Sequence, residues 1–387
     1  MTQLIRMPAF VRVGGGTLSE IATAVTELGA TRPLIVTDAF IVSTGLAQRV
    51  TDMLTDAGVA PAVFSDTIPD PTTASLEAGV AAVHAHRADV VIGLGGGSPI
   101  DTSKALAVLS VRGGTMRELK APLSYSGEAL PIIAIPTTAG TGSEATQFTV
   151  ISDSDTGEKM LCAGHSYLPK SAIVDFELTL SMPPRLTADT GIDALTHAIE
   201  AFVSIKSNGF SDALALSAIS TIGQHLRTAY LEPTNRVARE AMMQAAFFAG
   251  IAFSNASVAL VHAMSRPLGA HFHVAHGMAN AMLFAAVTEF SLGANDARYA
   301  ECARALGVAA PTDSDESAAA SLVSELHALR SELSVPTPLK FGVDADAWER
   351  KIPLMAEQAI ASGSHLNNPR VPSAPEIEKI YRSIYSD

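Results

Sequence analysis

With only two cysteines, Cys162 and Cys302, the 387-residue chain has no disulfide framework, which fits a reducing, cytoplasmic setting. Basic residues are also scarce: 26 Lys and Arg stand against 39 Asp and Glu, a formal charge of −13 that would repel a phosphate backbone. No uninterrupted apolar run is long enough to span a bilayer, and the opening residues Met1-Thr2-Gln3-Leu4-Ile5-Arg6 lack a signal-peptide apolar region. Neither nucleic acid nor membrane is therefore expected as a partner. Internal repeats and low-complexity linkers are absent as well. Charged residues make up 17 % of the chain and apolar ones 48 %, a balance that argues against disorder. A soluble globular protein of two domains is expected.

What is present changes character at Pro183-Pro184, where neither residue can donate to a preceding helix or strand. Before that point strand and helix signals alternate. Strands are predicted at residues 10–13, 34–36, 62–64, 90–94 and 132–135, with helices at 18–28, 73–84 and 102–109. Repeated strand–helix–strand units imply a parallel sheet covered by helices. After Pro184 the patterns are helical, at residues 188–203, 211–228, 236–253, 317–333 and 346–362, while 312–320 reads as a polar loop leading into a helix cap. The expected architecture is an α/β dinucleotide-binding domain over residues 1–182, followed by an all-α metal- and substrate-binding domain over 183–387.

Histidines are concentrated between His262 and His276, with His271 and His273 between them. Neutral imidazole is the commonest metal ligand, although each of these histidines alone reads more readily as a polar core or interface residue. Asp193 and His197 stand at i and i+4 on one helix face, among Ile192, Leu195, Ile199 and Phe202. Two facing helices that supply Asp193 and His197 on one side, His262 and His276 on the other, make an N/O site suited to a divalent transition metal. In the first half, the buried run from Val90 to Leu94 enters Gly95-Gly96-Gly97-Ser98, where glycines and a helix N-terminus can receive a pyrophosphate. The spacing is not the G-x-G-x-x-G fingerprint. Asp38 ends the second strand, where its carboxylate can hold the ribose hydroxyls of NAD and repel a 2′-phosphate, or else cap a helix starting near Ala39.

Gly95 to Asp101, Pro136 to Glu144, Asp193 to His197 and His262 to His276 occur in this order, and together they resemble the iron-containing (group III) alcohol dehydrogenase family over nearly the whole chain. The resemblance implies a dehydroquinate synthase-like fold and an NAD-linked, metal-dependent alcohol dehydrogenase or aldehyde reductase. It implies iron at Asp193, His197, His262 and His276, with zinc as the alternative, a small alcohol or aldehyde as substrate, and a homodimer or larger homo-oligomer. It assigns cofactor contacts to Asp38, Asp70, Gly95, Gly96, Gly97, Ser98, Asp101, Thr137, Thr138, Thr141 and Lys159, although Asp70 replaces a frequent Asn and Lys159 also reads as a solvated loop lysine. It ranks His273 beside the metal but outside its ligand shell. Arg266 departs from the pattern, since many relatives carry a second histidine there. Arginine stays protonated and cannot serve as a general base; it is either a partner of a helical-domain acid or a clamp for an anionic substrate.

Two other classes use similar parts. A metallohydrolase could use Asp and His ligands with a bound water, but it leaves the glycine loop and Asp38 without purpose, and no G-x-S-x-G elbow is present. A dehydroquinate synthase-like lyase shares the architecture without net redox chemistry.

Overall fold

The structure, a computed structural model, describes residues 3–386; Met1 and Thr2, at the head of the segment read above for a leader, and Asp387 lie outside the described residues. The chain divides into two compact units, Met1–Leu180 and Ser181–Asp387.

The first unit contains β1 (Phe10–Val13), β2 (Pro33–Val36), β3 (Ala62–Phe64), β4 (Val90–Gly95), β5 (Ile132–Pro136), β6 (Phe148–Ser152), β7 (Lys159–Ala163) and β8 (Ser171–Val174). Among the described residues six of these strands form one parallel sheet in the order β1-β8-β5-β4-β2-β3. Helices α1 (Ile21–Glu27), α2 (Ala39–Ser43), α3 (Leu46–Asp56), α4 (Ser75–His86) and α5 (Gly97–Arg112) connect them. The central strands read as unbroken apolar runs because both faces of a helix-covered sheet are buried. Side chains still alternate: Leu34 and Val36 join one core with Leu76 and Leu106, while Ile35 joins the other with Ile21, Val50 and Leu54. At the sheet edge, β1 leaves Phe10 and Val13 exposed.

The second unit is helical. Its site-bearing elements are α6 (Pro184–Val203), α7 (Gly209–Leu231), α8 (Arg236–Ala256), α9 (Leu260–Phe272) and α10 (His276–Ser291). Pro184 opens α6 in the first turn, where a missing amide hydrogen costs nothing. Asn208 and Ser211 close a capping box at the start of α7. No single helix among the described residues is long and apolar enough to cross a membrane.

Three sequence expectations are corrected. The helix expected from 317 begins at Asp315, because Ser314, in the loop read as leading into a cap, caps a helix spanning Asp315–Glu332 whose first turn carries Asp315 and Glu316. The helix expected at 102–109 begins at Gly97, directly after the strand. Lys159 is not a solvated loop lysine: it starts β7, which pairs antiparallel with β6.

Candidate functional site

On α6, Asp193, His197 and Glu200 fall at i, i+4 and i+7, and all three are buried. α9 supplies His262, buried at 3 % exposure, and the first residue of α10 is His276. Asp193 Oδ1 lies 3.8 Å from Nε2 of His197, of His262 and of His276. One ligand atom from each of the four residues lies within 4.8 Å of the others. A tetrahedral ion with bonds of about 2.1 Å needs ligand edges of roughly 3.4 Å, so the donor set and its spacing fit a divalent transition metal. The structure brings together the same four residues, but from three helices and not the two expected: α9 ends at Phe272, so His262 and His276 stand on separate helices.

Two residues that sequence reasoning missed complete the centre. Glu200 Oε2 accepts from His262 Nδ1 at 2.6 Å and Glu200 Oε1 accepts from the Val261 amide at 2.6 Å. That bond fixes His262 with its proton on Nδ1 and leaves the Nε2 lone pair toward the ligand cluster. Burial holds His262 well below the ordinary imidazole pKa, with repulsion from His197 and Arg266 adding to it, so the ring is in its ligand form. Burial pushes the Glu200 carboxyl up to about 7, opposed by backbone donors at its oxygens. Asn280, fully buried one turn along α10 from His276, donates from Nδ2 to Asp193 Oδ1 at 2.6 Å and lies 3.1 Å from His262 Nε2. Its Oδ1 has no partner among the described residues. The signal for both was helical spacing: Glu200 stands seven residues after Asp193, and Asn280 four after His276.

α10 reaches this position because Gly277 has no side chain. A Cβ there would stand 2.6 Å from the Asp189 carbonyl oxygen of α6. His197 is held by stacking on Phe253 at 4.2 Å between ring centres and on His262 at 4.5 Å.

The other predicted residues of this unit are not among the four that form the ligand cluster. His273 caps α9 in the left-handed region, φ 55°, and is exposed. His271 Nε2 lies 2.8 Å from Gln358 Oε1. Arg266 makes no ion pair with an acid among the described residues; Nη1 donates to Ser364 Oγ at 3.2 Å. The expected partner acid of the helical domain is thus corrected: Glu200, the acid whose charge Arg266 feels, is engaged by Val261 and His262.

In the first unit, β4 enters the glycine loop and α5 starts at Gly97, with Gly96 as its cap and no side chain closing that end. The leading amides of this sixteen-residue helix are open to an anion. Gly95 takes φ 146°, and a Cβ there would press on Pro99 at 2.6 Å. Beside the loop, Thr138 and Thr141 line up with Gly96 and Gly97, and the buried Thr138 Oγ1 has no partner among the described residues. Thr137 is buried, and its amide donates to the Gly95 carbonyl. A pyrophosphate fits this cradle by its amides and the orphaned hydroxyl. Ser98 Oγ accepts from the Asp70 amide at 3.3 Å, and Asp70 Oδ1 accepts from Lys159 Nζ at 2.8 Å, so these three form one rim. Asp38 caps α2, accepting from the Ile41 amide through Oδ1 at 2.8 Å. Asp101 accepts from Ser143 Oγ at 2.6 Å and from the Val150 amide at 2.9 Å. Its carboxylate is a strut between α5 and β6, a task the resemblance had not supplied.

An Asp/His centre on a helical unit, in a chain that also carries a phosphate-type loop on a parallel sheet, defines a class of metal-dependent, nucleotide-binding enzymes. The pattern described as "Iron-containing alcohol dehydrogenase" matches residues 8–176, and that described as "Fe-containing alcohol dehydrogenase family, C-terminal" matches 187–385. Alcohol dehydrogenase 4 of Saccharomyces cerevisiae (strain YJM789) is 36 % identical, with 98 % of this chain and 97 % of that protein covered. An NAD-dependent methanol dehydrogenase of Bacillus methanolicus is 35 % identical over 99 % of this chain and 100 % of its own. A crystal structure of 1,3-propanediol oxidoreductase superposes with a TM-score of 0.95 at 32 % identity, covering both chains fully at 100 %. The chain belongs to the iron-containing alcohol dehydrogenase family. Its activity is metal-dependent alcohol oxidation or aldehyde reduction, which sets aside the hydrolase and lyase readings.

Proposed function

We propose that the protein moves a hydride between NAD and a small alcohol or aldehyde, with the nucleotide on the first unit and the metal on the second. The observation that carries this reading is the position of Asp193 Oδ1, 3.8 Å from each of three imidazole nitrogens. When bound, a divalent metal, ferrous iron with zinc as the alternative, withdraws charge from the substrate oxygen, and the nicotinamide accepts or returns the hydride. Glu200 keeps His262 in the tautomer that offers Nε2. Asn280 orients the Asp193 carboxylate. The glycine loop, the α5 amides and Thr138 receive the pyrophosphate, with Ser98, Asp70 and Lys159 at its rim. Arg266 cannot take a proton, and His271 Nε2 is tied to Gln358, so proton exchange is left to water, the cofactor ribose or the exposed His273. Chelated protein should lose NADH oxidation across a panel of aldehydes and regain it on addition of ferrous iron or zinc. Full activity after complete chelation would overturn the metal reading, and no NADH oxidation with any aldehyde would overturn the redox one.

Cofactor choice rests on Asp38. One carboxylate oxygen caps α2, and the other is left for the ribose hydroxyls. Asp38→Gly should shift the ratio of kcat/KM for NADH over NADPH by about tenfold or more toward NADPH, the scale of one charge-assisted hydrogen bond. Loss of the cap by itself costs about 1 kcal/mol of stability. A fall in melting temperature with an unchanged cofactor ratio would leave Asp38 a cap alone.

The same reading includes a cytoplasmic homo-oligomer. Both cysteines are free and buried, in keeping with a reducing compartment. Exposed Phe10 and Val13 on the edge strand β1, with exposed Leu4, Ile5 and Met7 before them, supply an apolar surface for a second copy.

A further inference from the structure

The mechanism leaves Arg266 without a task, and its surroundings are unusual for a cation. It follows His262 by one turn of α9 and shares its face. One of its guanidinium donors is engaged, by the Ser364 hydroxyl, and no carboxylate among the described residues pairs with it. Charge balance sharpens the point. A divalent ion offsets the charges of Asp193 and Glu200, and the half-buried Arg266 then carries a positive charge that the centre does not neutralise. The turn that Arg266 touches, Ser364–Asn367, holds a second unsatisfied group: His365 is 6 % exposed, and its Nδ1 has no partner among the described residues. A cation without a counter-ion and a buried orphan nitrogen in the adjoining turn are the parts of an anion site.

We propose that Arg266 and the Ser364–His365 turn receive the anionic end of the substrate, so that the protein prefers short aldehydes and alcohols bearing a carboxylate or sulfonate. This rests on the redox reading above and names the substrate class of that same site. One helical turn, about 5.4 Å, separates Arg266 from His262, which suits a spacer of roughly two or three carbon atoms between the anion and the carbonyl. The reaction is unchanged: the carbonyl carbon gains hydride from NADH, its oxygen gains a proton from water, and NADH leaves as NAD.

The test compares 4-oxobutanoate with butanal, and 3-oxopropane-1-sulfonate with propanal, in the metal-loaded enzyme. The anionic member of a pair should have the higher kcat/KM by about tenfold or more, and Arg266→Gln should bring that ratio near unity. Arg266→Lys keeps the charge and should retain part of the preference, which separates lost recognition from a damaged fold. Calorimetry on the metal-loaded protein without nucleotide supplies a readout independent of turnover: butanoate or propane-1-sulfonate should bind the unmodified chain and not Arg266→Gln. Whichever pair shows the larger ratio identifies the anion. Equal kcat/KM within both pairs, or a preference that survives Arg266→Gln, overturns the proposal while leaving the dehydrogenase reading intact. Arg266-dependent anion binding in a protein that oxidises NADH with no aldehyde would instead sink the redox reading and keep the anion site.

Discussion

His262→Ala gives a folded protein that has lost its metal and about a thousandfold or more of its kcat/KM. A Lewis acid contributes several kcal/mol to the transition state, and about 4 kcal/mol corresponds to three powers of ten in rate. His276→Ala should lose as much activity but differ in stability. The His276 side chain is 40 % exposed and water can replace it, whereas the His262 side chain is 4 % exposed and is the partner of the buried Glu200. Leaving Glu200 Oε2 without its donor costs about 1–3 kcal/mol, so thermal unfolding should fall for His262→Ala and hold for His276→Ala. Metal content by elemental analysis and rates on one aldehyde check the first part. Full occupancy in both variants would remove these histidines from the ligand set.

Glu200→Gln should weaken metal binding by roughly 10–100-fold without touching a ligand, the usual scale for a partner that orients a metal-binding imidazole. The amide can still accept one hydrogen bond, but not the pair that Val261 and His262 now donate. Glu200→Leu removes both acceptors and leaves two buried donors unsatisfied, a further cost of about 1–3 kcal/mol for each. Competition against a chelator of known affinity measures the first effect, and denaturant unfolding the second. Wild-type affinity in Glu200→Gln would show that His262 keeps its tautomer unaided.

Much of this was legible beforehand because the signals are local. β4 and β5 are buried on both faces, so they read as plain apolar runs. Asp193 and His197 share a face by helical period alone. The β6–β7 hairpin was hidden because Thr149, a polar residue, is among those it buries, alongside Ile151, which blurs the alternation. β8 escaped notice because Ser171 and Ala172 make half of a short strand. Glu200 looks like any charged residue in the last turns of a helix until the α9 backbone is brought against it. Asn280 stands at helical spacing from His276 but is not a metal-ligand residue type, so its distances to Asp193 and His262 were needed to give that spacing meaning. Arg266 illustrates the limit of a sequence rule: buried cations pair with acids as a class, but Glu200, the acid whose charge it feels, already has two donors.

The dimensions of the metal centre are gauged by something missing. At one contact between α6 and α10 the bare Gly277 lies against the Asp189 carbonyl oxygen, 2.6 Å from where a Cβ would be. A centre spaced by backbone has less tolerance than the width of a methyl group, and it inherits its accuracy from helix register. Anyone moving this chemistry to another scaffold would therefore have to transplant the helix crossing, glycine included, since four grafted ligands alone would arrive at the wrong separation.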